Sequence, residues 1–194
     1  VSFDAAWGAD DTDELLRILD DNDVTATFFL CGYWVDKYPE EVEKIAAAGH
    51  DLGNHSATHP HMSTLSSEQI TEELQGCHQA VKELTGIDMN LFRPPFGEYN
   101  DNVIRTAKEN GYDSIQWDVD SLDWKTHNTT AILNEVKKEV KPGSIILMHD
   151  IHQTTIDALP TVLDYLKSQG YTFVTVDELL DYQLESHRIY YNGN

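Results

Sequence analysis

The chain of 194 residues carries 34 Asp and Glu against 13 Lys and Arg, a formal charge of -21, with 40% hydrophobic and 24% charged residues. That balance belongs to an ordinary globular protein and excludes a disordered or fibrous chain, and the length fits one domain over residues 1–194. The charge opposes nucleic acid and anionic headgroups as partners, and no apolar run approaches the roughly 20 residues that span a bilayer, so neither polyanion binding nor membrane insertion is expected.

Val1-Ser2-Phe3 reads as a buried strand, and a chain that opens so abruptly is expected to be a catalytic domain excised from a larger multidomain protein. A helix over Asp11 to Leu19 follows, then a strand over Thr25 to Cys31 and a helix over Pro39 to Ala48. Asp51-Leu52-Gly53 is the next strand. The clearest helix starts near Ser66-Ser67, with Gln69 and Glu72 available for capping. Ile70, Leu74, Cys77, Val81 and Leu84 form its apolar stripe, and Gly86 is its C-terminal stop. Strands over Leu91 to Arg93, Ser114 to Val119, Ser144 to Met148 and Tyr171 to Val176 then alternate with helices over Asn102 to Asn110, Thr130 to Val140, Ile156 to Ser168 and Val176 to Gln183. Ser186 to Asn194 reads as a polar tail. Short apolar strands alternating with helices make the class α/β, and seven strands point to a distorted (β/α) barrel. Cys31 and Cys77 have no metal-thiolate spacing and read as buried small hydrophobes, with a disulfide as the alternative.

Polar residues gather where the strands end: Asp4, then His55 and His59, then Arg93, then Asp120 and Asp123, then His149. In a (β/α) barrel the carboxyl ends of the strands share one face, so these segments converge. His55 and His59 are four apart, and one helical turn ahead of Pro60 would put both imidazoles on one side for a divalent metal. A surface or capping pair is the plainer reading, in a segment that also holds His50 and His61. Asp4 at a strand end suits a general base or a loop cap. Arg93, braced by Pro94 and Pro95, could hold that carboxylate through its planar fork or serve only a rigid loop. Asp123 could orient His149 as a proton donor, against a simple core histidine.

The ordered set Ser2-Phe3-Asp4, His55-Ser56-Ala57-Thr58-His59, Arg93-Pro94-Pro95-Phe96, Asp120-Ser121-Leu122-Asp123-Trp124 and Leu147-Met148-His149 resembles the polysaccharide deacetylases of carbohydrate esterase family 4. Phe3-Asp4-Ala5-Ala6-Trp7-Gly8 looks most like clostridial members, acetylxylan esterase domains among them. The resemblance implies one divalent metal, zinc or cobalt, on His55 and His59. Asp4 would be the base, Arg93 its orienter, His149 the acid and Asp123 the residue that tunes it. Phe96 would supply a backbone N–H to the oxyanion, and Trp124 and Leu147 would wall the acetyl methyl. A second aspartate usual in the family is replaced by Ala5, which leaves water, Asp4, Asp10 or Asp11 to complete the metal shell. The implied activity is removal of acetyl groups from a polysaccharide outside the cell, foremost O-acetyl from xylan. N-deacetylation of chitin oligomers or peptidoglycan is the near alternative, and a non-catalytic carbohydrate-binding module is the alternative of another class.

Overall fold

Ser2–Ala5 (β1) is buried at every position and is an interior strand of the sheet in this computed structural model, which describes residues 1–149 and 152–182. Six further strands join it: β2 (Thr27–Leu30), β3 (Asp51–Asn54), β4 (Leu91–Phe92), β5 (Asp113–Ser114), β6 (Val119–Asp120) and β7 (Ile146–His149). All pairings are parallel, in the order β5-β4-β3-β2-β1-β7-β6. Parallel strands need helical crossovers. These are α1 (Thr12–Asp21), α2 (Gly32–Lys37), α3 (Pro39–Ala47), α4 (Ser67–Thr85), α5 (Asp101–Glu109), α6 (Asp123–Thr126) and α7 (Thr129–Glu139), and α8 (Gln153–Ser168) follows the last strand. The sheet curls into a half-barrel with helices outside it, as the alternation of runs predicts.

The expected strand over Ser114 to Val119 is in fact two strands at opposite edges of the sheet. Pairing with β4 ends as the Ile115 N–H reaches the Phe92 carbonyl (2.7 Å), and the chain then crosses to β7, where Asp118 receives the Ile145 N–H (2.8 Å). Five Cα steps join β5 to β6, a reach of at most about 18 Å. That short tether obliges the two edges to approach, and it explains the curl.

Tyr171 to Val176 is not a strand. β1 is already paired on both sides and β7 is enclosed by β1 and β6, so the segment finds no ladder. Instead the Val176 N–H donates to Thr27 Oγ1 (2.9 Å), and Val176 packs with Phe29, Leu91 and Ile115 in a small second core. Residues 176–182 are helical as expected, whereas Asp150, Gln183 and the tail over Ser186 to Asn194 lie outside the described residues. The sequence pattern misses α2 and α6.

Caps behave as their chemistry requires. Ser66 and Gln69 form a reciprocal capping box on α4, and Gly86 ends it at φ 74°, a left-handed conformation that glycine adopts without steric cost. The main core joins Phe3, Phe28, Trp34, Leu74 and Phe92 with the inner faces of α1, α4, α7 and α8. Cys31 and Cys77 are both buried free thiols, so the disulfide alternative fails.

Candidate active site

Asp4 sits on β1 beside His149 of β7, its direct partner in the sheet register. Its Oδ1 accepts from Arg93 Nη1 at 2.7 Å, and Arg93 Nη2 donates to Ser2 Oγ at 2.9 Å, which in turn donates to the Ile146 carbonyl at 2.8 Å. Arg93 is fully buried, with its guanidinium 4.0 Å from the centre of the Phe29 ring. Burial pushes the Asp4 carboxyl up, but the charge of Arg93, foremost among the groups around it, outweighs burial and holds Asp4 below the ordinary carboxylate range. Asp4 is therefore an ionised, fixed acceptor.

His55 and His59 do reach one place, but not on a helical turn. Ser56 (φ 67°) and His59 (φ 59°) are left-handed, so residues 55–59 form a contorted loop. Local polar groups over-determine it, as a strained backbone requires. Asn54 Oδ1 takes the Ser56 N–H (2.9 Å), Ser56 Oγ takes the His59 N–H (3.0 Å), and Glu73 of α4 takes both the Thr58 N–H (2.7 Å) and hydroxyl (2.6 Å). From the other side the first N–H groups of α2, those of Gly32 and Tyr33, hold the Ser56 and Ala57 carbonyls at 2.9 Å each. The two imidazole rings end 4.9 Å apart.

Their chemistry suits a metal. His55 Nδ1 lies 2.7 Å from the Arg93 carbonyl, which can only accept, so Nδ1 carries the proton. Burial lowers the His55 pKa against the pull of Asp4, so the ring is neutral and Nε2 is a free lone pair, 3.6 Å from Asp4 Oδ2. Burial, reinforced by His55, lowers the His59 pKa to about 4. Two neutral imidazoles, one locked in its tautomer from behind, are what a divalent ion requires. Among the described residues no group of three or more His, Cys, Asp or Glu gathers as a ready cage. Asp10 is exposed and Asp11 half-buried, and neither lines the cleft, so Asp4 is the carboxylate the fold sets beside the two nitrogens.

Asp123 opens α6 and is fully buried. Its Oδ1 accepts from His149 Nδ1 (2.9 Å) and the Trp124 N–H (2.8 Å), and its Oδ2 accepts from the His149 N–H (2.7 Å) and Thr155 Oγ1 (2.9 Å). Burial disfavours the His149 imidazolium, but the bond and charge of Asp123 prevail and raise its pKa. Burial likewise pushes Asp123 up, and its bond to His149 more than reverses that.

These groups open on one cleft of about 430 Å³, lined by Asp4, His55, His59, Phe96, Leu147 and His149 with Trp7, Trp117, Asp120 and Trp124. Of the residues singled out from sequence, Arg93 and Asp123 lie beneath it, each holding a residue that faces it. Sequence reasoning missed Ser2, Asn54, Glu73 and Thr155, which act through hydrogen bonds to other residues of the site and carry no spacing signal. Trp7 stood inside a quoted motif without a role.

The family model for polysaccharide deacetylase matches residues 1–115. The chain belongs to the polysaccharide deacetylase family. It is 38% identical over 192 residues to the peptidoglycan-N-acetylglucosamine deacetylase PgdA of Listeria monocytogenes, covering 99% of this chain and 41% of that protein. BA3943, a CE4 family pseudoenzyme from Bacillus anthracis, is 38% identical with a TM-score of 0.89, over 92% of this deacetylase-family chain and 63% of that one. The Xyl-CE4 domain of a multidomain xylanase from the hindgut metagenome of Trinervitermes trinervoides is 33% identical with a TM-score of 0.86, over 94% and 88%. The chain thus spans less than two thirds of the first two relatives.

Proposed function

We propose that this domain removes acetyl groups from the amino sugars of a peptidoglycan-type or chitin-type glycan, outside the cell. One observation carries this reading: a carboxylate whose pKa is held low and an imidazole whose pKa is raised stand side by side on β1 and β7, facing one cleft. Environments that drive two titratable groups apart mark a base and an acid. Asp4, oriented by Arg93, accepts the proton of the attacking water, and His149, oriented by Asp123, gives a proton to the departing nitrogen. A divalent cation on His55 and His59, zinc or cobalt, supplies a Lewis acid for the acetyl carbonyl when bound. Leu147 and Trp124 wall the acetyl methyl, and the Phe96 N–H assists at the oxyanion.

An amine cannot depart without a proton, whereas an alkoxide needs it less, so the effort spent on raising the His149 pKa favours an amide. The PgdA similarity agrees with that. Removal of O-acetyl from xylan, as in clostridial acetylxylan esterases, is the second reading, favoured by likeness to the Xyl-CE4 domain. A purely binding role, suggested by the BA3943 likeness, has no use for two such dyads. Acetate release decides among them. We expect release from chitopentaose and peptidoglycan, loss with a chelator, and recovery with zinc or cobalt. Release from acetylated xylan alone would install the second reading, and release from none of the three with metal present would make the domain a binder.

A further inference from the structure

Trp7 is 51% exposed at the mouth of the cleft, although Trp34, which bonds to the residue after it, is fully buried. Its position is nonetheless fixed. Ala5 and Ala6 before it are fully buried, and the Gly8 carbonyl after it accepts a 2.7 Å hydrogen bond from Trp34 Nε1. The indole meets His59 in a T-shape at 5.0 Å, and Phe96, 54% exposed, meets His59 likewise at 4.6 Å. Trp124, 49% exposed, stands on the other flank, after β6. Large apolar side chains held open together beside a polar cleft mark a binding surface.

The chemistry of these rings selects the ligand. A pyranose has one flat face made of C–H groups with hydroxyls at its edge, and an electron-rich aromatic face takes it with little ordering cost, because the indole has only two side-chain torsions. An anion would be refused by a molecule of charge -21. Trp7 leans toward the loop after β3, whereas Leu147 and Trp124 stand at β7 and after β6. In the order β3-β2-β1-β7-β6 the His59 loop and the Leu147–Trp124 wall lie on opposite sides of β1, so Trp7 and that wall flank the one cleft from two sides.

We infer that Trp7 is a stacking platform for the sugar next to the one that loses its acetyl group, so that this domain selects acetylated units inside a glycan chain. The inference rests on the glycan-deacetylase reading above. Trp7→Ala and Trp7→Phe, with zinc added, test it through chain length. We expect Trp7→Ala to lower kcat/KM for chitopentaose about tenfold and for diacetylchitobiose less than threefold, with Trp7→Phe restoring most of the loss. Calorimetry without turnover should show the matching loss of chitopentaose affinity. Equal losses for both lengths would reduce Trp7 to a support for the histidine loop and overturn the platform, as would no loss at either. If wild type works only on acetylated xylopentaose, a length-dependent loss there sustains the platform while the amide reading falls. Wild type that binds neither pentamer overturns the platform.

Discussion

At the scale of single residues, the site depends on two ion pairs that do opposite things. Removing the Asp4 charge leaves Arg93 as a buried cation with neutral partners, a loss of about 3–5 kcal/mol in stability, and removes the base, worth about 10²–10⁴ in rate. Asp4→Asn should therefore lower both the melting temperature and kcat, by thermal scanning and acetate release; a variant that still turns over at wild-type rate would strip Asp4 of its role. The His149 pair has a pH signature. Its folded pKa is raised above the unfolded value of about 6.5, so the pair stabilises fully below that pH and the contribution fades as pH rises through the folded pKa. Activity that needs the imidazolium fades over the same interval. In Asp123→Asn the burial that lowers the His149 pKa loses its main opponent and faces only the weaker pull of Asp4 and Asp120, so the alkaline limb of kcat/KM should move to lower pH. A limb that stays in place would separate His149 from proton transfer.

At the scale of elements, the histidine loop shows why some of this was legible and some not. Strands followed by Asp4, His55, Arg93, Asp123 and His149 were readable because strand ends share a face in a (β/α) barrel, and residue type alone then narrows the chemistry. The pairing of β5 and β6 with opposite edges was not, because Ser114 to Val119 is one unbroken run and the break depends on distant Phe92 and Ile145. Nor was the loop form of residues 55–59: a four-residue spacing fits a helical turn equally well, and the decision lies with Asn54, Glu73 and the start of α2. Gly32 is the sharpest test of that support. A Cβ there would meet the Ala57 Cα at 2.9 Å and its carbonyl oxygen at 3.1 Å, both backbone atoms that cannot swing aside. Gly32→Ala should shift the loop and lower zinc affinity by about 10–100-fold, as loss of the groups that orient metal ligands does elsewhere. Unchanged affinity by calorimetry would mean that the loop does not set the ligand geometry.

At the scale of the whole molecule, the charge of -21 belongs to the surface and not to the cleft, where Asp4 faces Arg93 and Asp123 faces His149. Several of the few cations are already spent on neighbouring acids: Arg17 on Asp21, Lys44 on Asp13, Lys82 on Asp88 and Lys108 on Asp113. The excess of acid therefore acts as one long-range field of a single sign, which strains the compact state and opposes any anionic polymer. Raising ionic strength from about 0.01 M to 0.15 M shortens the reach of that field from about 30 Å to 8 Å. The melting temperature should rise over that range, because self-repulsion weakens while the buried pairs feel little screening. KM should respond according to the charge of the glycan. For peptidoglycan that carries anionic wall polymers it should fall several-fold, and for uncharged chitopentaose it should stay within about twofold. The contrast between the two substrates isolates the field, since salt acting on the dyads themselves would move both constants together. A KM for chitopentaose that fell as steeply as that for peptidoglycan would place the electrostatic effect in the cleft and not on the surface around it.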